Sequence, residues 1–366
     1  MRCSMQFDAN WLQDCWDSRQ FPQLTAEQWA WLIPRLRREQ MLARLALRCQ
    51  LLETPDLPDY ARRHIQNACR LAHKQQMQVE CEAELLQQLL ADLPYCVFLK
   101  GAAYSLMSGA LGQGRLYSDI DILVPQAQLT ATEQALCLHG FIPDDIDPYD
   151  DRYYRRWSHE IPPLRHANRG TVLDVHHQII PPISGRAPDL TRLLQNVRQT
   201  EQGFTVLSPE AMFLHSAIHL FCNEEIKHGW RDILDLCLMF EHPSQAPAPE
   251  KLLALATDTG FSLELALALR CVTELTKLAL PEALNDWLDM QPTRPVLSWC
   301  FRQVLQPKLQ QRWQVSLASF ALTLRGHWLK MPLAILLKHT LYKLWRGGAA
   351  ALIGDAALKA KKQQSN

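Results

Sequence analysis

The sequence is short of features that assign a protein to a class at once. It carries no net charge, with Lys+Arg and Asp+Glu at 38 each. No global field therefore draws it to nucleic acid or anionic lipid, and only local patches could act that way. None of its 11 cysteines belongs to a C-x-x-C pair. An odd number without framework spacing argues against a disulfide scaffold or zinc ribbon and for reduced thiols in a cytoplasmic protein. No uncharged apolar run reaches the roughly 18 residues of a spanning helix. The opening "MRCSMQFDANWLQDCW" has no apolar signal-peptide core, and no internal repeat is visible. What is present is a 366-residue chain that is 48% hydrophobic, enough for two or three domains around a substantial core. The expectation is a soluble cytoplasmic protein.

Texture divides the chain. From about Leu24 to Asp92 the pattern is helical, with Thr25 and Gln28 spaced as a capping box. The Gly- and Pro-free "ARRHIQNACRLAHKQQMQVECEAELLQQLLADL" predicts one long helix or two. After Pro94, "YCVFL" reads as a strand and "KGAAYSLMSGAL" as a helix opening at Gly101. The loop "GQGRLYS" leads to a second strand, "DIDILV", and Gly140 closes the helix "PQAQLTATEQALCLHG". Past the acidic loop "DDIDPYDD", "YYRRWSHEIPPL" and "GTVLDVHHQII" read as two more strands joined by "RHANRG". The order β-α-β-α-β-β predicts a small mixed sheet, too short for a doubly wound parallel one. "PPISGRAPDL" is expected to end the sheet. Helices follow, starting at Ser208-Pro209-Glu210 with an N-cap, an N1 proline and a first-turn acid.

The run "GRLYSDIDILV" poses the chemical question. Alternate strand residues share a face, so Asp119 and Asp121 point one way while Ile120, Ile122 and Val124 point the other. Two carboxylates about 5 Å apart repel by roughly 3 kcal/mol at an effective dielectric near 20. A shared proton, a basic side chain or a divalent cation must offset that. In "TVLDVHHQII", Asp174 and His176 likewise share a face opposite Leu173 and Val175. A third carboxylate on a neighbouring strand completes a cluster able to hold two Mg²⁺ ions, the chemistry of phosphoryl or nucleotidyl transfer. A lone D-x-D is more often a strand-end turn or a solvated edge. The flanking apolar residues, the upstream glycine loop and the second strand's aspartate favour a metal site here.

With those residues in view, "FLKGAAYSLMSGALGQGRLYSDIDILV", "HEIPPL" and "VLDVHHQI" resemble the uncharacterised-nucleotidyltransferase family of the DNA polymerase β-like superfamily. The likeness is strong from Leu93 to Ile180 and weaker through "HSAIHLF" and "HGWRDILDL". The first 90 residues match only in being helical. The resemblance implies an α+β fold, a small mixed-sheet nucleotidyltransferase core flanked by N- and C-terminal helical regions. The implied division is a helical region at 1–92, the α/β core at 93–185, a helical domain at 186–350 and a frayed tail at 351–366.

It further implies Asp119 and Asp121 as the metal-binding pair and Asp174 as the third catalytic carboxylate, base or metal-bound activator. Mg²⁺ or Mn²⁺ would be the cofactor and an NTP, ATP foremost, the substrate. Lys100-Gly101 stands where the wider superfamily has the phosphate-holding Gly-Ser pair: Gly101 would admit a phosphate and Lys100 add a positive charge. Seventeen residues separate Gly101 from Asp119, longer than is common in the superfamily. Arg115 matches a family arginine, either for the triphosphate or for bracing the aspartates.

Secondary candidates follow. His159 and Glu160 match the family's "HE" pair; in a regular strand only one of them reaches the site, and a structural partnership is an even alternative. His176 either orients Asp174 or touches substrate, while His177 reads as structural. Trp230 is a candidate to stack on a base, and Arg231 or Asp235 to line the cleft, against a plain inter-helix salt bridge. His215 and His219 share a helix face but read as core or cleft residues rather than zinc ligands. Arg152, Arg155 and Arg156 read as a solvated mixed-charge loop. The stretch with Lys330, Lys338, Lys343 and Arg346 has the composition of a membrane-surface helix, although such stripes more often pack a terminal helix onto its own domain. Three readings compete: Mg²⁺-dependent NMP transfer to a hydroxyl or amine acceptor, a catalytically silent nucleotide-binding protein, and a tRNA-directed transferase. The last is weakened by the missing basic stripe.

Overall fold

The computed structural model describes residues 7–107, 109–310 and 312–338. Four helices come first: α1 (Ala9–Ser18), α2 (Ala26–Arg38), α3 (Leu42–Arg48) and the 31-residue α4 (Asp59–Leu89). Thr25 caps α2 by a full capping box. Its N–H donates to Gln28 Oε1 at 2.8 Å, and the Gln28 N–H donates back to Thr25 Oγ1 at 3.2 Å. The Gly- and Pro-free stretch forms one continuous helix.

The central layer runs β1 (Val97–Leu99), α5 (Lys100–Leu106), β2 (Ile120–Leu123), α6 (Leu129–Leu138), β3 (Phe141–Pro143), α7 (Pro148–Trp157), β4 (Leu164–His166), β5 (Val172–His176), α8 (Leu190–Leu194), β6 (Arg198–Gln199) and β7 (Thr205–Val206). Its strands form one seven-stranded mixed sheet in the order β3-β4-β5-β2-β1-β7-β6. β2 lies antiparallel to β1 and parallel to β5, with Asp121 in register with Asp174 and Leu123 with His176. Side chains in register on neighbouring strands face the same way, so β2 and β5 present their polar residues together. Val97, Phe98, Ile122, Leu173 and Val175 are buried in the core.

Two expectations about this layer are corrected. "YYRRW" is not a strand; it belongs to α7. Asp147 caps that helix, accepting from the Tyr149 N–H at 2.8 Å, with Pro148 at its start, Asp150 and Asp151 in the first turn and Arg155 and Arg156 in the last. These are helix signals that outweigh the strand preference of the aromatics. The arginines expected in a loop are therefore helical, and Arg155 pairs with Glu133 at 2.8 Å and Asp151 at 3.0 Å. Nor does the sheet end at "PPISGRAPDL": the β6–β7 hairpin returns, and β7 adds parallel to β1 through Val206 and Phe98.

Helices α9 (Pro209–Cys222), α10 (Gly229–Glu241), α11 (Pro249–Thr259), α12 (Ser262–Leu275), α13 (Glu282–Asp289), α14 (Pro295–Leu305) and α15 (Trp313–Lys330) complete the described chain. Ser208 caps α9, its Oγ accepting from the Ala211 N–H at 3.2 Å, as its sequence signals imply. One hydrophobic core runs from Leu12 to Leu322 through all three layers. The described cysteines are free thiols, and no helix among the described residues is long and apolar enough to cross a membrane. α15 buries Ala318, Leu322 and Gly326 and exposes Trp313, Leu317, Phe320, Leu324 and Trp328. Lys330 pairs with Glu224 at 2.5 Å, which removes it from the expected basic face. Lys343, Arg346 and the tail at 351–366 lie outside the described residues.

Candidate active site

The sheet delivers Asp121 from β2, with Asp119 just before that strand, and Asp174 and His176 from β5. At the end of β1 the chain turns sharply into α5. Lys100 makes that turn with φ at 45°, a left-handed conformation that costs a side-chain-bearing residue about 1 kcal/mol. The turn places Lys100 Nζ 2.6 Å from Asp121 Oδ1. His176 Nε2 approaches the same oxygen at 2.9 Å. Since a carboxylate only accepts, that nitrogen carries the proton.

The electrostatics of the three aspartates differ. Asp121 is buried, which opposes its charge, but Lys100 and the hydrogen bond from His176 more than compensate and hold its carboxyl well below the usual range. Asp119 accepts a hydrogen bond from Ser118 Oγ at 3.0 Å and its ionised form is favoured by the charges of Lys100 and Arg115, but these do not offset what opposes its charge. Burial and the Asp121 charge push it up. Asp174 is the extreme case: burial, then Asp121, Glu160 and Asp119, push its carboxyl up to about 9. Its Oδ1 is buried with no hydrogen-bond partner. Lys100, for its part, is disfavoured by burial but held charged by Asp121, Glu160 and Asp174.

Beside the aspartates opens a cleft of about 410 Å³ between the sheet and helices α9 and α10. Lys100, Gly101, Arg115, Asp119 and Asp121 line it on the sheet side, and Ser216, His219, Asn223, Lys227, Arg231 and Asp232 on the helical side. Arg115 is paired with Asp235, while its charge also favours the ionised form of Asp119. Its Nε donates to Asp235 Oδ2 at 3.0 Å, while Arg44 from α3 donates to Asp235 Oδ1 at 2.6 Å. Asp235 is thus buried between two guanidiniums, which hold it ionised below the usual range despite its burial. The guanidinium of Arg115 lies against Gly101: a Cβ there would collide with Arg115 Nη1 and stand 2.9 Å from the Tyr117 ring. Gly101 is therefore needed for the packing of Arg115 and Tyr117.

Further sequence candidates resolve as follows. Trp230 does not face the cleft. It is 1% exposed, packs edge-on against Trp16, and donates its indole N–H to Gln13 Oε1 at 2.8 Å, so it cannot stack on a base. Arg231 and Asp235 do line the cleft, and Arg231 is tied to Gln40 and to Asp232. His215 is buried, and its pKa falls to about 3 because burial, then Lys100 and His176, disfavour its cation; it is a core residue. His219 faces the cleft.

His159 and Glu160 both reach the site, against the one-of-two expectation. They lie in an irregular segment after α7 that touches β5 only through a Glu160–His176 bridge, so strand alternation does not apply. Glu160 Oε2 is 3.3 Å from His176 Nδ1 and 3.8 Å from His159 Nε2. Sequence reasoning missed Arg44 and Gln40, which come from a region read only as helical, and Ser118. Their roles depend on contacts across 191 positions for both Arg44–Asp235 and Arg231–Gln40, which no local pattern announces.

The arrangement fits a divalent cation at the aspartates. Asp174 has an unpartnered buried oxygen, two of the three carboxylates are pushed toward protonation, and Lys100 is paired with Asp121 alone of the three. Comparison with curated proteins and with solved structures gives no match. Residues 25–277 match the family described as Uncharacterised nucleotidyltransferase, and the chain belongs to that nucleotidyltransferase family.

Proposed function

We propose that the protein transfers a nucleoside monophosphate from an NTP, ATP foremost, to a hydroxyl or amine of a small molecule or protein, releasing pyrophosphate. The observation that carries this reading is the uncompensated carboxylate cluster at the edge of a cleft that Lys100 and Arg115 also line. Asp119, Asp121 and Asp174 would hold Mg²⁺ or Mn²⁺. The ion supplies positive charge where the α-phosphate and the departing pyrophosphate build up negative charge.

The protein's own groups do the rest. Lys100 neutralises Asp121 in the free site, and once relieved of that duty its ammonium is placed to hold a phosphate. Arg115, locked by Asp235 at Nε, keeps its remaining N–H groups over Gly101 beside the cleft, so triphosphate binding is the role assigned to it. With a cation bound Asp174 would be ionised, and its Oδ1, which has no partner, would then be free to accept the proton of the incoming hydroxyl or amine. Charges on the helical wall are paired off, Lys227 with Glu225, Arg231 with Asp232 and Lys330 with Glu224. A phosphate polymer finds no continuous basic strip there, which favours a small-molecule or protein acceptor over tRNA.

The test is incubation with each labelled NTP and Mg²⁺ in cell extract, followed by mass identification of the labelled product. Asp121→Asn should lower transfer by about 10³-fold or more, the scale on which electrostatic catalytic groups act, while leaving the fold intact. Unchanged transfer in that variant, or in excess chelator, would overturn the reading.

A further inference from the structure

Among the described residues, the one set of three potential metal-ligand side chains whose donor atoms converge within 4.8 Å is not the aspartates but His159, Glu160 and His176. His176 Nε2–H is committed to Asp121, which leaves Nδ1 to this cluster. That nitrogen faces Glu160 Oε2 at 3.3 Å, with the His159 imidazole beside it.

The spacing is near that of a metal ion's ligands, with small side-chain adjustments needed to close it. Donors about 2.0–2.2 Å from a tetrahedral ion stand roughly 3.3–3.5 Å apart. Glu160 Oε2 meets His176 Nδ1 at 3.3 Å and His159 Nε2 at 3.8 Å. The backbone fixes these positions: His177 N–H donates to His159 C=O at 2.9 Å, and Ile161 N–H to Val175 C=O at 3.1 Å. The side chains of His159 and Glu160 are 15% and 19% exposed while His176 is 1% exposed, so the cluster opens to solvent on one side only. Two imidazoles and one carboxylate select a first-row transition dication over Mg²⁺, which prefers oxygen donors.

We propose that His159, Glu160 and His176 form a second cation site, for a divalent transition metal ion, separate from the aspartates and joined to them through His176. The His176 ring sets its two nitrogens to different tasks: Nδ1 ligates the ion and Nε2–H holds Asp121. The second site thereby fixes the tautomer that orients the aspartate, as carboxylate–histidine pairs do behind metal ions. Three protein ligands leave a position open to water or a substrate atom.

Co²⁺ is a suitable probe, because its visible absorption reports few-coordinate nitrogen and oxygen ligation. Metal-free protein is titrated with Co²⁺ in millimolar Mg²⁺, which occupies the aspartates. One equivalent should bind with a visible band. His159→Ala and the isosteric Glu160→Gln should each weaken binding by at least about tenfold. Asp119→Asn combined with Asp174→Asn should keep the band at similar affinity. Should His159→Ala fail to fold, Glu160→Gln decides. The proposal is overturned by a band undiminished in Glu160→Gln, by one lost only with the aspartates, or by no band at all, which would assign a proton to Nδ1. None of these readings involves NTP, so loss of this site and failure of the transferase proposal are distinguishable.

Discussion

Two buried carboxylate settings share one cleft and behave in opposite ways. Asp235 on α10 sits between Arg44 and Arg115, both within 3.0 Å, and is held ionised. Asp121 and Asp174 lie side by side on parallel strands, with Lys100 paired to Asp121, and Asp174 keeps an oxygen with no partner. Asp121 and Asp235 are both buried, and Asp174 is half-buried. What separates them is compensation: the first is a closed electrostatic unit that joins the N-terminal helices to α10, and the second is short of positive charge. A buried acid marks a candidate catalytic site when its charge is unmet, not when it is merely hidden.

The sharpest way to break this comparison is to open the closed unit. Asp235→Ala leaves two guanidiniums buried without a partner, a change that typically costs about 3–5 kcal/mol. Chemical denaturation should show a loss of that order. A loss under 1 kcal/mol, about the worth of an exposed pair, would mean that the arginines are better solvated than their burial indicates. Asp174→Asn should do the reverse, because a neutral amide replaces an acid that the metal-free fold has to keep protonated.

The sign of its pH dependence follows from the raised carboxyl. In the metal-free protein Asp174 keeps its proton up to about 9, whereas the unfolded chain loses it in the ordinary carboxylate range. Between those limits the native state binds the extra proton, so its stability falls as pH rises. Relative to Asp174→Asn, the parent should lose about 1 kcal/mol per pH unit across that window. Parallel stability curves for parent and variant would contradict the reading. A smaller effect belongs to the turn that separates the two settings. Gly101→Ala drives a methyl into Arg115 and Tyr117 and should cost about 1–3 kcal/mol, as overpacking does. Unchanged thermal stability would show that Arg115 moves freely.

Much of the open setting was legible in the sequence, and little of the closed one. Period-2 alternation sets Asp121 apart from Ile120 and Ile122, and Asp174 and His176 apart from Leu173 and Val175, whereas the register that brings Asp121 beside Asp174 comes from the pairing of β2 with β5. The capping signals at Thr25 and Ser208 act over three residues and appear as expected. The Arg44–Asp235–Arg115 unit is different, since it depends on how distant helices pack. Trp230 illustrates the same limit: the sequence offered it as a base-stacking residue and gave no sign that Trp16 and Gln13 from α1 would cover it. α7 was misread for another reason. Asp147-Pro148 announces a helix, but the aromatic "YYRRW" has strand preference, and the local capping won. The β6–β7 hairpin has two-residue strands, too short to carry any period.

The central claim is that the aspartate cluster lacks a positive charge that a divalent cation supplies. Its most direct measurement is an isotope-edited NMR titration of the Asp174 carboxyl with and without Mg²⁺. The account predicts a midpoint raised to about 9 without the ion and a fall to or below the ordinary carboxylate range with it. A midpoint in the ordinary range that Mg²⁺ does not move would contradict it.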